Sequence, residues 1–277
     1  MDSLKIKNYD GLDISCNLYR KSNSEILPLI IFSHGFKGFK DWGGFPYMMN
    51  QLANAGFAAA SFNFTHNGVS QKHPMEFTEL DNFAKNTFSR EVKELSNVID
   101  YFYSNVDELM IDKNRIALMG HSRGGGATII NGANDERVNC VITLSSISAY
   151  DRYTERQKEL WKKNGFIEIE NARTKQMMRM NYTLIEDLEL NKEQLDIPSA
   201  MKHLNKPCLL IHGKEDLAVK SDEAKKLFET SNKDLTELYI IERTGHTFGI
   251  SHPFAGTTDA FEKVIESSVN FLKKILV

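Results

Sequence analysis

Apolar residues in this chain gather into short unbroken runs separated by longer amphipathic stretches. The runs are Leu29-Ile30-Ile31-Phe32, Ala58 to Phe62, Ile116 to Met119, Val141 to Leu144, Cys208 to Ile211 and Leu238 to Ile241. A run without alternation is the pattern of a strand buried on both faces. Between the runs, apolar positions recur at three-and-four spacing. Val92, Leu95, Val98, Ile99 and Phe102 predict a helix over Phe88 to Tyr103, and the closing stretch Phe261 to Leu276 predicts another. Alternation of this kind predicts an α/β fold: a mostly parallel central sheet with helices on both faces. Ahead of it, Leu4 to Lys7 and Leu12 to Leu18 alternate with period two around Asp10-Gly11, which predicts an antiparallel hairpin at a sheet edge.

The rhythm breaks between Tyr150 and His203, where charged residues are dense and no buried-strand run occurs, although Trp161, Met177, Met178, Met180 and Tyr182 keep it partly apolar. The expectation is a single domain spanning residues 1–277 in which residues 150–203 form a lid or cap insertion. Gly165 to Glu170, a turn over Asn171 to Thr174, and Lys175 to Met180 would make a small hairpin over the carboxyl edge of the sheet. The alternative is a helical surface excursion without a role.

Composition narrows the class. Of the 277 residues, 41% are hydrophobic and 26% charged, which suits a packed soluble domain rather than a disordered chain. The net charge of −3, with basic residues spread along the chain, gives no footing for a nucleic-acid partner. Cys16, Cys140 and Cys208 each sit among strand-like apolar residues, and three scattered cysteines make no disulfide framework, so they are expected reduced and buried. The first residues lack the apolar stretch of a secretory signal and nowhere do eighteen apolar residues follow one another, so no membrane span and a cytoplasmic location are expected. The pattern carries no information on oligomeric state.

Candidate chemistry begins at Gly120-His121-Ser122-Arg123-Gly124, between the run ending at Met119 and helix-like Ala127 to Ile130. In a G-x-S-x-G elbow the serine occupies a strained strand-to-helix turn that holds its hydroxyl exposed, and the flanking glycines admit backbone where a Cβ would clash. A glycine-rich turn whose serine merely caps a helix is the plainer alternative. A serine hydroxyl needs a base to take its proton, and histidine is the side chain suited to neutral pH. His246, in Gly245-His246-Thr247-Phe248-Gly249 after the last strand-like run, lies on the correct edge and follows the chain order serine, acid, histidine. His252 is its rival. Asp216, ending Ile211-His212-Gly213-Lys214-Glu215-Asp216, is placed to orient that base, with Asp151 as the alternative position and capping of the next helix as the structural reading. A tetrahedral oxyanion would need two donors, for which the backbone amides of Arg123 and of Phe36, in Ser33-His34-Gly35-Phe36, are the candidates. No pair of histidines stands at ligand spacing on one helix, so no metal is expected.

The segments at His34-Gly35-Phe36, Gly120 to Gly125, His212 to Asp216 and Gly245 to Gly249 resemble those of the α/β-hydrolase superfamily, in its dienelactone-hydrolase-like or acyl-esterase branch. The resemblance covers nearly the whole chain. The insertion before the acid-bearing strand is similar to that of cinnamoyl (feruloyl) esterases. Dienelactone hydrolases proper carry a cysteine where this chain has Ser122, and Arg123 departs from the glutamine or methionine common after the serine in related esterases. The resemblance implies an α/β-hydrolase fold with a lid and hydrolysis of a small-molecule carboxylic ester, aromatic or of medium chain length, through an acyl-enzyme on Ser122, with no cofactor. Trp42, Trp161, Met178 and Tyr182 are the expected substrate-binding side chains. A peptidase or thioesterase would share every one of these residues, and a non-catalytic binding protein is the alternative of a different class.

Overall fold

A computed structural model describes residues 1–22 and 24–277. Its strands, in chain order, are β1 (Asp2–Lys7), β2 (Asp13–Tyr19), β3 (Leu27–Ser33), β4 (Ala58–Phe62), β5 (Ile111–His121), β6 (Val138–Leu144), β7 (Phe166–Glu170), β8 (Met177–Asn181), β9 (Cys208–Gly213) and β10 (Thr236–Ile241). Eight of them form one sheet in the order β1-β2-β4-β3-β5-β6-β9-β10. The β1–β2 and β2–β4 pairs are antiparallel and the rest parallel, so the period-two hairpin lies at the edge its alternation predicts.

The unbroken apolar runs divide between two cores. In β3, Leu29 and Ile31 join the cluster on one face while Ile30 and Phe32 join the cluster on the other, and β5 divides Leu118 from Ala117 and Met119 in the same way. Side chains alternate across a sheet, so a strand covered on both sides has no position left for a polar residue. One face is covered by helices Phe88–Ser104 and Arg123–Asn134, the other by Phe45–Asn54 and Asp259–Leu276. All three cysteines are free and buried. No helix is long and apolar enough to cross a membrane among the described residues.

Between β6 and β9 the chain leaves the sheet and returns. It forms helix Glu155–Asn164, the antiparallel hairpin β7–β8, and helices Thr183–Leu190 and Ile197–His203. Helix Glu155–Asn164 starts with a capping box between Thr154 and Gln157 and stops at Gly165, whose φ of +75° suits a left-handed C-cap. The burial of β8 alternates, with Met178 and Met180 inward and Met177 and Arg179 outward. The excursion is bound to the main body by polar ties as well. The Ser89 amide donates to Asp187 at 2.9 Å and the Gln176 side chain donates to the Phe77 carbonyl at 3.0 Å.

Candidate active site

The carboxyl ends of β3, β5, β9 and β10 converge on one edge, where an open α/β sheet offers a crevice. Ser122 follows β5 directly and has φ +55° and ψ −119°, a conformation costly for a residue with a Cβ. The turn is held from three sides: the Ser122 amide donates to Leu144 at 2.9 Å, and its carbonyl accepts from Gly125 at 3.0 Å and Ile147 at 3.3 Å. Gly124 makes the geometry possible, because a Cβ there would stand 2.5 Å from the carbonyl oxygens of Ser33 and His34. The helix after the serine therefore sits hard against the end of β3.

The loop after β3 sits equally close to the serine. A Cβ on Gly35 would lie 2.8 Å from the Ser122 Cβ. A turn closed by Gly38 donating to the Gly35 carbonyl puts Phe36 and Lys37 at its centre, and the Phe36 amide takes part in none of the loop's backbone hydrogen bonds among the described residues. Arg123 opens its helix, so its amide is one of the donors that a helix start leaves without an internal acceptor. The two amides named from sequence thus flank the serine.

After β9, Asp216 is buried at 3% exposure, and its two oxygens are fully engaged. Oδ1 accepts the amides of Ala218 and Val219, each at 2.9 Å, while Oδ2 accepts from His246 Nδ1 at 2.7 Å. His212 Nε2 donates to the Val219 carbonyl at 2.7 Å and lies 3.3 Å from the same Oδ2. Burial opposes ionisation of this carboxyl, but the close approach of His212 and the hydrogen bonds from His246 and the Val219 amide outweigh it and hold Asp216 well below the usual carboxylate range. The next helix starts only at Asp222, so Asp216 braces its own loop and His246 rather than capping that helix. With Nδ1–H committed to Asp216, Nε2 of His246 is the nitrogen free to accept a proton.

His121, the elbow residue before the serine, donates from Nε2 to the His246 carbonyl at 2.9 Å, and the two rings lie 4.7 Å apart. Burial, aided by the neighbouring His246, depresses His121 to about 3, so it stays neutral and serves as a strut. Among the described residues no hydrogen bond joins the Ser122 hydroxyl to His246, a contact that tightens in many hydrolases only with substrate bound.

The rival residues have other partners. His252 Nδ1 accepts the Gly43 amide at 2.9 Å, and its ring stacks on Trp42 and meets Phe39 edge-on. Asp151 is exposed and paired with Lys158, and Glu215 is exposed.

A cleft of about 400 Å³ opens beside the elbow. Phe36, Trp42 and Phe45 form its aromatic wall, His121 and His246 its inner end, and the β7–β8 tip, Asn171 to Arg173, its outer rim. Of the four side chains expected to bind substrate, Trp42 lines this cleft. Trp161, Met178 and Tyr182 do not, which corrects that expectation. Trp161 is fully buried and donates from Nε1 to the Met180 carbonyl at 2.9 Å; Met178 is fully buried, and Tyr182 packs against the same cluster. The inward face of the excursion covers the main core, and the turn residues between its strands reach the cleft instead. A larger depression of about 670 Å³ between the β1–β2 hairpin and residues 63–74 contains none of Ser122, Asp216 and His246, whereas the smaller cleft is lined by His246 and by the elbow residue His121.

Sequence reasoning missed Glu91. Its side chain is 3% exposed, pairs with the Arg123 guanidinium and accepts from Asn86 at 2.7 Å. The Arg123 guanidinium also lies 4.5 Å from the centre of the Phe36 ring, so one side chain links the helix start to the loop carrying the other amide. The signal was available: Glu91 precedes Leu95, Val98 and Phe102 on the buried face of its helix, where a carboxylate demands a partner.

A parallel-rich sheet with a strand–serine–helix elbow, a histidine after the last strand and a carboxylate behind it defines the α/β-hydrolase class. A family model described as BD-FAE matches residues 12–230, most of the chain, and the chain belongs to that family. Est1E from Butyrivibrio proteoclasticus superposes with a TM-score of 0.70 at 17% identity, over 99% of this chain and 98% of its own. The α/β hydrolase GrgF from Penicillium sp. sh18 does so with a TM-score of 0.74 at 17% identity, over 99% and 98%. Among curated proteins, the quorum-quenching protein AidA of Acinetobacter baumannii is 27% identical over 137 residues, 49% of this chain and 41% of AidA. The match therefore spans less than half the length of that relative.

Proposed function

We propose that this protein is a serine esterase that cleaves small carboxylic esters through an acyl-enzyme. The observation that carries the reading is the 2.7 Å bond from His246 Nδ1 to a buried, ionised Asp216, beside a serine held at positive φ on the edge shared with two unengaged amides. Ser122 Oγ attacks the ester carbonyl while His246 Nε2 takes its proton, and Asp216 stabilises the imidazolium that forms. The tetrahedral oxyanion is held by the amides of Phe36 and Arg123, each donor worth about 3 to 4 kcal/mol of barrier. The imidazolium returns its proton to the departing alkoxide; water, activated by the same nitrogen, then releases the acid and restores the serine.

The excursion over residues 150–203 acts as a lid whose turn, Asn171 to Arg173, closes one side of the cleft. The aromatic wall of Phe36, Trp42 and Phe45 favours an ester with a flat apolar body. Est1E has been crystallised with ferulic acid, which makes a hydroxycinnamate ester a natural first probe.

The test is turnover of p-nitrophenyl butyrate and methyl ferulate by the wild type and by Ser122→Ala. Wild-type hydrolysis of either ester and a loss of roughly 10⁵-fold or more in kcat with the variant are expected. Equal rates for the two proteins, or a wild type inert toward both, would overturn the reading.

A further inference from the structure

The charges at the cleft are all of one sign. Among the described residues that line it, Lys37 and Arg173 are cationic and no carboxylate is present; Asp216 is buried behind His246. This occurs in a protein whose net charge is −3, so the local excess is not a reflection of overall composition.

Pairing within the hairpin makes the excess specific. Arg173, Lys175 and Arg179 all lie on β7–β8 or its turn. Lys175 bonds Glu170 at 2.9 Å and Arg179 approaches Glu168 at 3.9 Å, so each is matched by a carboxylate of the partner strand. Arg173, the one that lines the cleft, has no ion-pair partner among the described residues; burial lowers the pKa of the His252 ring, and the Arg173 charge lowers it further.

Lys37 lines the same cleft from the loop after β3. It sits at the centre of the turn after Phe36, with φ +54°, and its ammonium donates to the Glu170 carbonyl at 3.3 Å, an uncharged acceptor. Burial lowers its pKa, the mark of a cation that has given up water without gaining a counter-ion. Two cations without counter-ions among the described residues thus line a cleft whose wall is aromatic.

We infer that the cleft selects esters that carry an anionic group on an apolar or aromatic body, the anion held between Lys37 and Arg173. The inference rests on the esterase reading for its reaction and on the cleft alone for its charge preference. The ester bond lies toward Ser122 and the anion toward the hairpin turn. Such a field also raises the encounter rate of anionic substrates in a salt-dependent way.

The test pairs 4-acetoxybenzoate with 4-acetoxybenzamide, which differ in charge and little in shape. For the wild type, kcat/KM for the anion should exceed that for the amide by roughly tenfold at low salt, with the ratio shrinking as ionic strength rises. Lys37→Gln and Arg173→Gln should each lower the ratio by about threefold, and the double variant should bring it near one. Binding is measured separately on Ser122→Ala by calorimetry, with the uncleaved analogues 4-acetamidobenzoate and 4-acetamidobenzamide, and the same preference and the same loss are expected. Turnover of both esters with a ratio near one in the wild type, or a ratio unchanged in the double variant, overturns the charge inference and leaves the esterase standing. Preferential binding of the anion without turnover of either ester overturns the esterase and leaves the charge inference standing. Neither preference nor turnover sinks both.

Discussion

Arg123, which packs behind the Phe36 wall of the cleft, and Arg173, which lines its rim, stand on opposite terms. Arg123 belongs to the floor: its guanidinium is buried against Phe36 and neutralised by Glu91, whose side chain is also buried. Arg173 belongs to the rim, exposed on a turn and without a carboxylate partner among the described residues. The floor is a network in which the charged groups are matched within the protein: Arg123 by Glu91, and Asp216 by His246 and the amides of Ala218 and Val219. Charges paired within the protein fix geometry, which catalysis requires; an unpaired charge leaves interaction energy for a ligand, which recognition requires. Floor substitutions should therefore act on kcat and stability, and rim substitutions on substrate choice.

The largest effect expected of the floor is that of Asp216→Asn, which removes the charge behind His246 and permits the wrong tautomer. A fall in kcat on the order of 10⁴-fold with KM little changed is expected in steady-state kinetics. The same variant has a pH signature. Because the folded-state pKa of Asp216 lies below its unfolded value, the carboxylate contributes stability that is fully present above about pH 4 and is lost as pH falls toward the folded value. Stability of the wild type to urea should fall through that acid window more steeply than that of the variant; parallel slopes would contradict the ionised Asp216.

Next in size is Trp161→Ala. The indole is fully buried in the cluster that also holds the main-sheet residues Leu118 and Val141, so the excursion and the sheet share a core. A loss of about 3 to 5 kcal/mol in one cooperative transition is expected. A separate early transition, with the main one unmoved, would show that the excursion folds as its own unit and that floor and rim are less connected than their packing implies.

Arg123→Met follows. It leaves the Glu91 carboxylate buried with only Asn86 as partner and removes the stack on Phe36, for an expected cost of about 3 kcal/mol. If the guanidinium also positions the two amides, kcat falls while KM for a neutral ester moves little, and Arg123→Lys, which keeps the charge without the planar stack, recovers stability better than rate.

The same contrast explains what was legible in the sequence. Ser122, Asp216 and His246 stand at strand ends, where short apolar runs and chain order fix their edge, and the elbow's glycines announce the close approach that Gly124 displays. The hairpin of the excursion was legible too, since β7 and β8 occupy Phe166–Glu170 and Met177–Asn181 where Gly165 to Glu170 and Lys175 to Met180 were expected. Which of its faces meets the cleft was not. A tryptophan, a methionine and a tyrosine look alike as pocket or core until the register of β8 is known, and that register depends on what the hairpin lies on. Glu91 was hidden for a related reason: helical periodicity places it inward, but its partner is 32 residues away in the elbow.

The smallest effect tests how firmly the rim is attached. The Gln176 side chain donates to the Phe77 carbonyl at 3.0 Å and, with the Lys37 bond to the Glu170 carbonyl, fastens the turn of β7–β8 to the main body. Gln176→Ala removes a part-buried neutral hydrogen bond at the surface, for which about 1 kcal/mol is the expected cost. Global stability should move by no more than that, and kcat for a small acetate should stay within about twofold, because nothing in the floor is touched. The consequence should appear as a rise of a few-fold in KM for bulkier aryl esters, which need the turn in place to close their side of the cleft. A change in kcat of tenfold or more with KM constant would mean that the turn helps to set the geometry around Ser122, and the division between a fixed floor and an adjustable rim would have to be abandoned.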